Sequence, residues 1–575
     1  MAEGMSSTVP PVGTIPAAIG RMAAGRVPGR LIDRWLDLPE PLFRTLEHTL
    51  DLRIPMPDGT VQLADRHRPR GAGPLPVVLM RTPYGKHRPD VRLFAGVLAR
   101  RGFQVVVQNV RGVFGSGGGF HAFRQEKDDG LASAAWLRAQ PWCDGGLAMA
   151  GASYLGHTQW SAGPYLDPPP AAMCLGATTS DFTAAFYPGG APALHDMLVW
   201  SALIGTQAGA PLGGLLPRPL HDRTLRRALR RLPLRDADLT AIGRPEPFWR
   251  AVTAHAGAGD GFWAPIRHSA AAASLTAPVS MVTGWWDLLL PGQLRDFSAL
   301  ADAGHGPRIT IGPWGHDAGA LRTLITDQVS WLSAQLHGDR AQLQRPPVRL
   351  YLQRAGRWLD FDRWPPARSV PTALYLHPGG ALDRSRPPAC SPGTFCYDPA
   401  SPTPSPGGPL LASACAERGQ QDNTAVERRP DVLVFTSRPL PRHLDLIGPV
   451  SARIHLRTDT GHGDVFVRLC DVDRAGVSRN VTDGILRLRP GHPAADGDNV
   501  AAARVELHPT GYRFAPGHRL RVQVAGGAFP RFARHHGTGA PAGEAVAGRR
   551  VRFEVFHEPG RASALTLPLW NPEGD

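Results

Sequence analysis

The chain has 575 residues, too many for one hydrophobic core, because cores stop growing near about 250 to 300 residues; two or three domains are expected. Hydrophobic residues make up 42% and charged residues 19%, which excludes an intrinsically disordered chain. The formal charge of +14 rests almost wholly on arginine, Lys86 and Lys127 being the only lysines, and with no DNA- or RNA-binding motif to accompany it no nucleic-acid partner is expected.

Residues 1–45 read as an N-terminal extension with a short helix over Leu31–Leu36. Its prolines interrupt the apolar residues and no basic segment precedes them, unlike a secretory signal. No 18-residue apolar run follows anywhere, so no membrane span and a cytoplasmic protein are expected. Alternation around Asp58-Gly59 then predicts a β-hairpin. Two apolar runs, 75–81 and 103–110, flank the helical stretch VRLFAGVLARRG, and a helix over Asp128–Arg138 leads to a short strand at 147–150. Strand, helix, strand implies a parallel sheet.

From about 181 to 270 the sequence turns helical, Arg-rich and Gly/Pro-punctuated, the pattern of a helical cap inserted into the sheet domain. Arg223, Arg226, Arg227, Arg230, Arg231 and Arg235, with Leu225, Leu229 and Leu232 between them, read as one basic amphipathic helix with a solvated face. Strands return at 277–287 and 307–316. The expected catalytic domain thus spans 46–180 and 271–345, with the cap over 181–270. Beyond 346, short alternating strands such as VRLYLQ, TALYLH, VSARIHLRT and RLRVQV predict a jelly-roll β-sandwich to residue 575. Within it, the Pro/Ser-rich stretch 399–408 reads as a surface loop. Six scattered cysteines (Cys143, Cys174, Cys390, Cys396, Cys415, Cys470) lack C-x-x-C or zinc-type spacing, so reduced core thiols and no metal are expected.

The chemistry gathers at Gly151-Ala152-Ser153-Tyr154-Leu155-Gly156. A serine hydroxyl attacks a carbonyl only when it is exposed and a base takes its proton. Small residues around Ser153, between a strand and a helix, suit the strained turn that exposes such a nucleophile. Asp287 ends one later strand (GWWD) and His316 follows another (GPWGH), so the order Ser, Asp, His is that of α/β-hydrolases. An oxyanion hole needs donors where negative charge develops. The backbone N–H of Tyr154 is the first candidate. Tyr84, after the strand at 75–81, is a second, to be weighed against a packed loop tyrosine.

RTPYGK, NVRGVFGSGGGF, QPWCDGG, GASYLGHTQW, GWWD and GPWGH together resemble the cocaine-esterase and X-Pro dipeptidyl-peptidase family of serine hydrolases, the CocE/NonD family hydrolases; the likeness covers nearly the whole chain after residue 45. It implies an α/β-hydrolase core, a helical cap and a jelly-roll domain meeting at the site. It also implies Ser153 as nucleophile, His316 as base, Asp287 as its orienter, and Tyr84 with the Tyr154 N–H as oxyanion hole. Trp200 and Phe186 would line the acyl pocket. Relatives that hydrolyse α-amino-acid esters carry acidic residues just after the catalytic aspartate, whereas here Leu288-Leu289-Leu290-Pro291 follows, so Leu289 belongs to a pocket for an apolar, neutral acyl group.

The expected protein is a cofactor-free serine esterase or acylase acting on a small-molecule ester or amide. The alternative is a peptidase releasing X-Pro dipeptides, which needs an anionic clamp in the cap or sandwich. A non-catalytic binding protein on the same scaffold is disfavoured by the complete triad. The oligomeric state is left open, a homodimer being one option.

Overall fold

A computed structural model describes residues 29–207, 218–257 and 259–571. Most of the expected N-terminal extension lies outside the described residues, although a helix over Gly29–Leu36 matches the one expected. The first sheet has ten strands, in spatial order β1 (Leu46–Pro55), β2 (Val61–Pro69), β4 (Gln104–Asn109), β3 (Leu75–Thr82), β5 (Cys143–Ala152), β6 (Ala172–Gly176), β7 (Val279–Trp286), β8 (Arg308–Gly315), β9 (Val348–Leu352) and β10 (Arg357–Phe361). Pairing is parallel from β4 to β9 and antiparallel at both edges.

The central strands are apolar throughout because both faces are covered. Val77 and Leu79 pack toward helices Glu126–Arg138, Tyr154–Ala162 and Leu290–Asp302. Val78 and Met80 point the other way, toward helices Pro89–Ala99 and Leu321–Leu336. Chain that the sequence reading placed in the sandwich from residue 346 extends this sheet instead. Ile309 and Ile311 of β8 are fully buried, and β9 supplies the parallel partner that covers their free side before β10 turns back.

Between β6 and β7, helices Leu194–Gln207, Arg218–Leu229, Ala237–Ala241 and Pro247–Ala254 lie over the C-terminal ends of the strands and share one apolar cluster with Phe123 and Tyr154. The six arginines expected on a single helix are divided. That helix stops at Leu229, since Pro233 cannot continue it, and Arg235 falls in a separate turn over Leu234–Asp236. Leu225 and Leu229 do bury themselves in the cap.

Residues 369–570 form an antiparallel β-sandwich, a seven-stranded sheet facing a four-stranded one around Val450, Ile454, Val467, Val522 and Phe553. The strand Ser478–Leu488 escapes a search for alternation because both of its faces are buried, with Asn480, Thr482 and Asp483 inside. Two expectations need correction here. Only Cys174 and Cys470 are core thiols; Cys396 is exposed because it alternates with buried Phe395 and Tyr397 on a strand. The stretch 399–408 is a surface loop only in part: Ala400, Ser401 and Pro404 are exposed, but Thr403 bonds Asp431 and the Pro406 carbonyl accepts from Arg468, drawing the chain inward toward the site.

Candidate active site

Ser153 stands between β5 and the helix Tyr154–Ala162, with φ 58° and ψ −121°. That backbone conformation is costly for a side-chain-bearing residue, and the neighbours are chosen to permit it. A Cβ at Gly151 would lie 2.4 Å from the Leu155 side chain, and one at Gly156 2.4 Å from Thr178. The sharp turn therefore tolerates Leu155 because residue 151 carries no side chain, and the start of the helix tolerates Thr178, just past the end of β6, because residue 156 carries none. The Ser153 N–H donates to the Gly176 carbonyl at 2.8 Å, and its own carbonyl accepts from Thr178 Oγ1 at 3.0 Å.

Asp287 follows the end of β7 and His316 the end of β8. Gly312 leaves room for the Trp314 ring and Gly284 for the Trp314 carbonyl and ring edge, a Cβ at either coming within 2.2 Å of Trp314. The Trp314 indole donates to the Thr283 carbonyl at 3.0 Å. This packing fixes the strand end from which His316 projects. His316 Nε2 lies 3.0 Å from Ser153 Oγ, and Nδ1 lies 3.0 Å from Asp287 Oδ2. The other Asp287 oxygen accepts the Leu289 N–H at 2.8 Å. Burial alone would lower the His316 pKa, but the charge and hydrogen bond of Asp287 outweigh it, so His316 is more basic than a free imidazole.

Trp200 Nε1 donates to Tyr84 Oη at 3.0 Å. Burial pushes the Tyr84 phenol up, against the opposing effects of Trp200, Arg88 and Ser153. Tyr154 opens its helix, where backbone N–H groups have no intrahelical acceptor. Its side chain turns away from the site: Oη donates to Glu126 Oε1 at 2.7 Å and accepts the Phe123 N–H at 2.9 Å. Glu126 in turn pairs with buried Arg81 at 2.8 Å.

Every residue expected at the site except Asp287, which lies behind His316, lines one open cleft: Tyr84, Ser153, Tyr154, Phe186, Trp200, Leu289 and His316. Sequence reasoning missed Phe123, Phe182 and Phe248, whose rings crowd Phe186 and Trp200. It also missed Leu411, brought in by the 399–408 stretch, and Asp196 of the helix Leu194–Gln207. Asp196 Oδ1 accepts the Leu411 N–H and the His195 ring, both at 2.9 Å, while His195 Nε2 meets Ser413 Oγ at 2.7 Å. From the sandwich, buried His508 lies near Asp287, its pKa held down to about 4 chiefly by burial and then by Arg531. Nothing local in these segments marks them, because their roles arise only from docking. No helix among the described residues is long and apolar enough to cross a membrane.

A parallel sheet with a hydroxyl, an imidazole and a carboxylate at the ends of three strands defines a serine hydrolase of the α/β-hydrolase fold, here with a C-terminal antiparallel β-sandwich. Residues 58–318 match the X-Pro dipeptidyl-peptidase (S15 family) model, and residues 341–555 match the X-Pro dipeptidyl-peptidase C-terminal non-catalytic domain. The chain is 30% identical to the cocaine esterase of Rhodococcus sp. (strain MB1 Bresler), over 90% of its own length and 98% of that protein's. It belongs to this family of cocaine-esterase and X-Pro dipeptidyl-peptidase hydrolases. Two solved structures share the fold at 23% identity. An α-amino acid ester hydrolase superposes with a TM-score of 0.78 over 91% of this chain and 96% of its own. An aminopeptidase of the marine sediment archaeon Thaumarchaeota archaeon superposes at 0.75 over 93% and 98%.

Proposed function

We propose that the cleft hydrolyses an ester, or an amide, of a largely apolar acyl group through an acyl-enzyme on Ser153. The observation that carries this reading is the line of hydrogen bonds Ser153–His316–Asp287 opening onto an aromatic cleft. Ser153 Oγ attacks the carbonyl while His316 Nε2 takes its proton, and Asp287 holds the imidazole in the tautomer that can do so. The Tyr84 O–H and the Tyr154 N–H stabilise the oxyanion. His316 then protonates the leaving group, and water enters by the reverse path. Phe123, Phe182, Phe186, Phe248, Trp200 and Leu289 favour an apolar acyl chain.

Hydrolysis of 4-nitrophenyl butyrate by wild type and Ser153→Ala tests the reading, and the variant is expected to lose at least ~10³-fold in kcat. Equal rates would end it. Asp196 favours a second reading, the release of X-Pro dipeptides, because a carboxylate on the cap at the edge of the cleft is where a substrate ammonium would need its anionic partner. Turnover of glycyl-prolyl anilide, abolished by Asp196→Asn while butyrate hydrolysis persists, is the result that would favour it.

A further inference from the structure

A phenol oxygen has one proton to give and lone pairs with which to accept, whereas an indole N–H can only donate. The 3.0 Å contact between Trp200 Nε1 and Tyr84 Oη therefore has one direction. Tyr84 accepts there, and its own proton is left for whatever lies on the Ser153 side. The indole has little freedom to do otherwise. Its ring is stacked on Tyr154 at 6.0 Å and 11°, lies 5.0 Å from Phe123, and meets Phe248 edge-on at 4.7 Å. Tyr84 is likewise held: its N–H donates to Thr82 Oγ1 at 3.1 Å, and the Arg88 guanidinium lies 5.3 Å from its ring centroid, itself gripped by both oxygens of Asp90.

Resting on the reading of Tyr84 as an oxyanion donor, we infer that Trp200 is a positioning residue of the oxyanion hole, its indole N–H aiming and polarising the Tyr84 hydroxyl, in addition to walling the cleft. Donation into an oxygen strengthens the bond that the same oxygen makes through its proton. The stronger bond matters most when a full negative charge has formed, so the effect belongs to the transition state and to kcat. The helix carrying Trp200 is part of the cap, so the oxyanion hole of the core is completed from outside the core.

The inference separates cleanly from a packing role. Replacing Trp200 by 3-benzothienylalanine keeps the bicyclic ring and removes the N–H. With 4-nitrophenyl acetate and butyrate, kcat is expected to fall about 10-fold for both esters while KM stays within about twofold. In a Tyr84→Phe background the same replacement should change kcat by less than about twofold, since the acceptor is gone. Unchanged kcat, a loss confined to KM, or an equal loss in both backgrounds would overturn it. A Tyr84→Phe variant with wild-type kcat overturns the oxyanion reading itself, and this is seen before Trp200 is altered.

Discussion

Ser153 holds a positive φ only because its neighbours leave space, and each of those spaces is testable. Gly156→Ala drives a methyl into the Thr178 side chain, so the variant should melt several degrees lower by calorimetry and lose activity as the turn relaxes. The His316–Asp287 contact sets the pH response. In the proposed mechanism deprotonated His316 is the base, and its pKa lies above the free value of 6.5. Activity should therefore fall as pH drops through a midpoint above 6.5, and Asp287→Asn should move that midpoint down while cutting kcat by about 10⁴-fold. A pH–rate profile of kcat/KM for both proteins checks it. The motif around Ser153 and the terminal GWWD and GPWGH segments were legible because a nucleophile turn and close-packed strand ends demand glycine at fixed places. The carboxylate of Asp196 was not, since a lone acidic residue at the start of a helix has many ordinary reasons to be there.

At the scale of elements, the helix Leu194–Gln207 joins all parts of the cleft: Trp200 reaches the core, and His195 with Asp196 grips the segment that carries Leu411 and Ser413. Leu411→Ala should widen the acyl end, raising the butyrate-to-acetate ratio of kcat/KM by up to about 10-fold, the effect of one or two methylenes in an apolar pocket. An unchanged ratio would remove Leu411 from the acyl site. The helical character of this region was readable from composition. Which of its faces met the substrate was not, because the helix is apolar nearly all round and periodicity cannot choose between a cleft and a core. The edge strands β9 and β10 were misplaced for a related reason: alternation identifies a strand without naming the sheet it joins.

Across the whole molecule, the sandwich is tied to the cap by a buried charge cluster. Asp483 binds Arg468 at 2.9 Å and also pairs with Arg531, whose carbonyl accepts the His195 N–H. Burial would raise the Asp483 pKa, but the two arginines hold it below the ordinary carboxylate value. Its stabilisation is thus complete above that ordinary value and is lost as pH falls through the lowered one. Asp483→Asn leaves two buried cations uncompensated and should cost about 3 to 5 kcal/mol in denaturant unfolding at neutral pH. The gap to wild type should shrink only in strong acid.

The cleft divides its labour along the chain in a way that bears on descent. Ser153, Asp287 and His316 follow strands of the first sheet, whereas Trp200 arrives on the cap and Leu411 on the sandwich side. Mutations in the latter two segments that spare Trp200 can reshape the acyl end of the cleft while Ser153, Asp287 and His316 stay untouched. Relatives of this architecture can therefore differ in the acyl group they accept through the segment carrying Leu411, and chimeras exchanging only residues 409–415 between relatives should carry acyl preference with them.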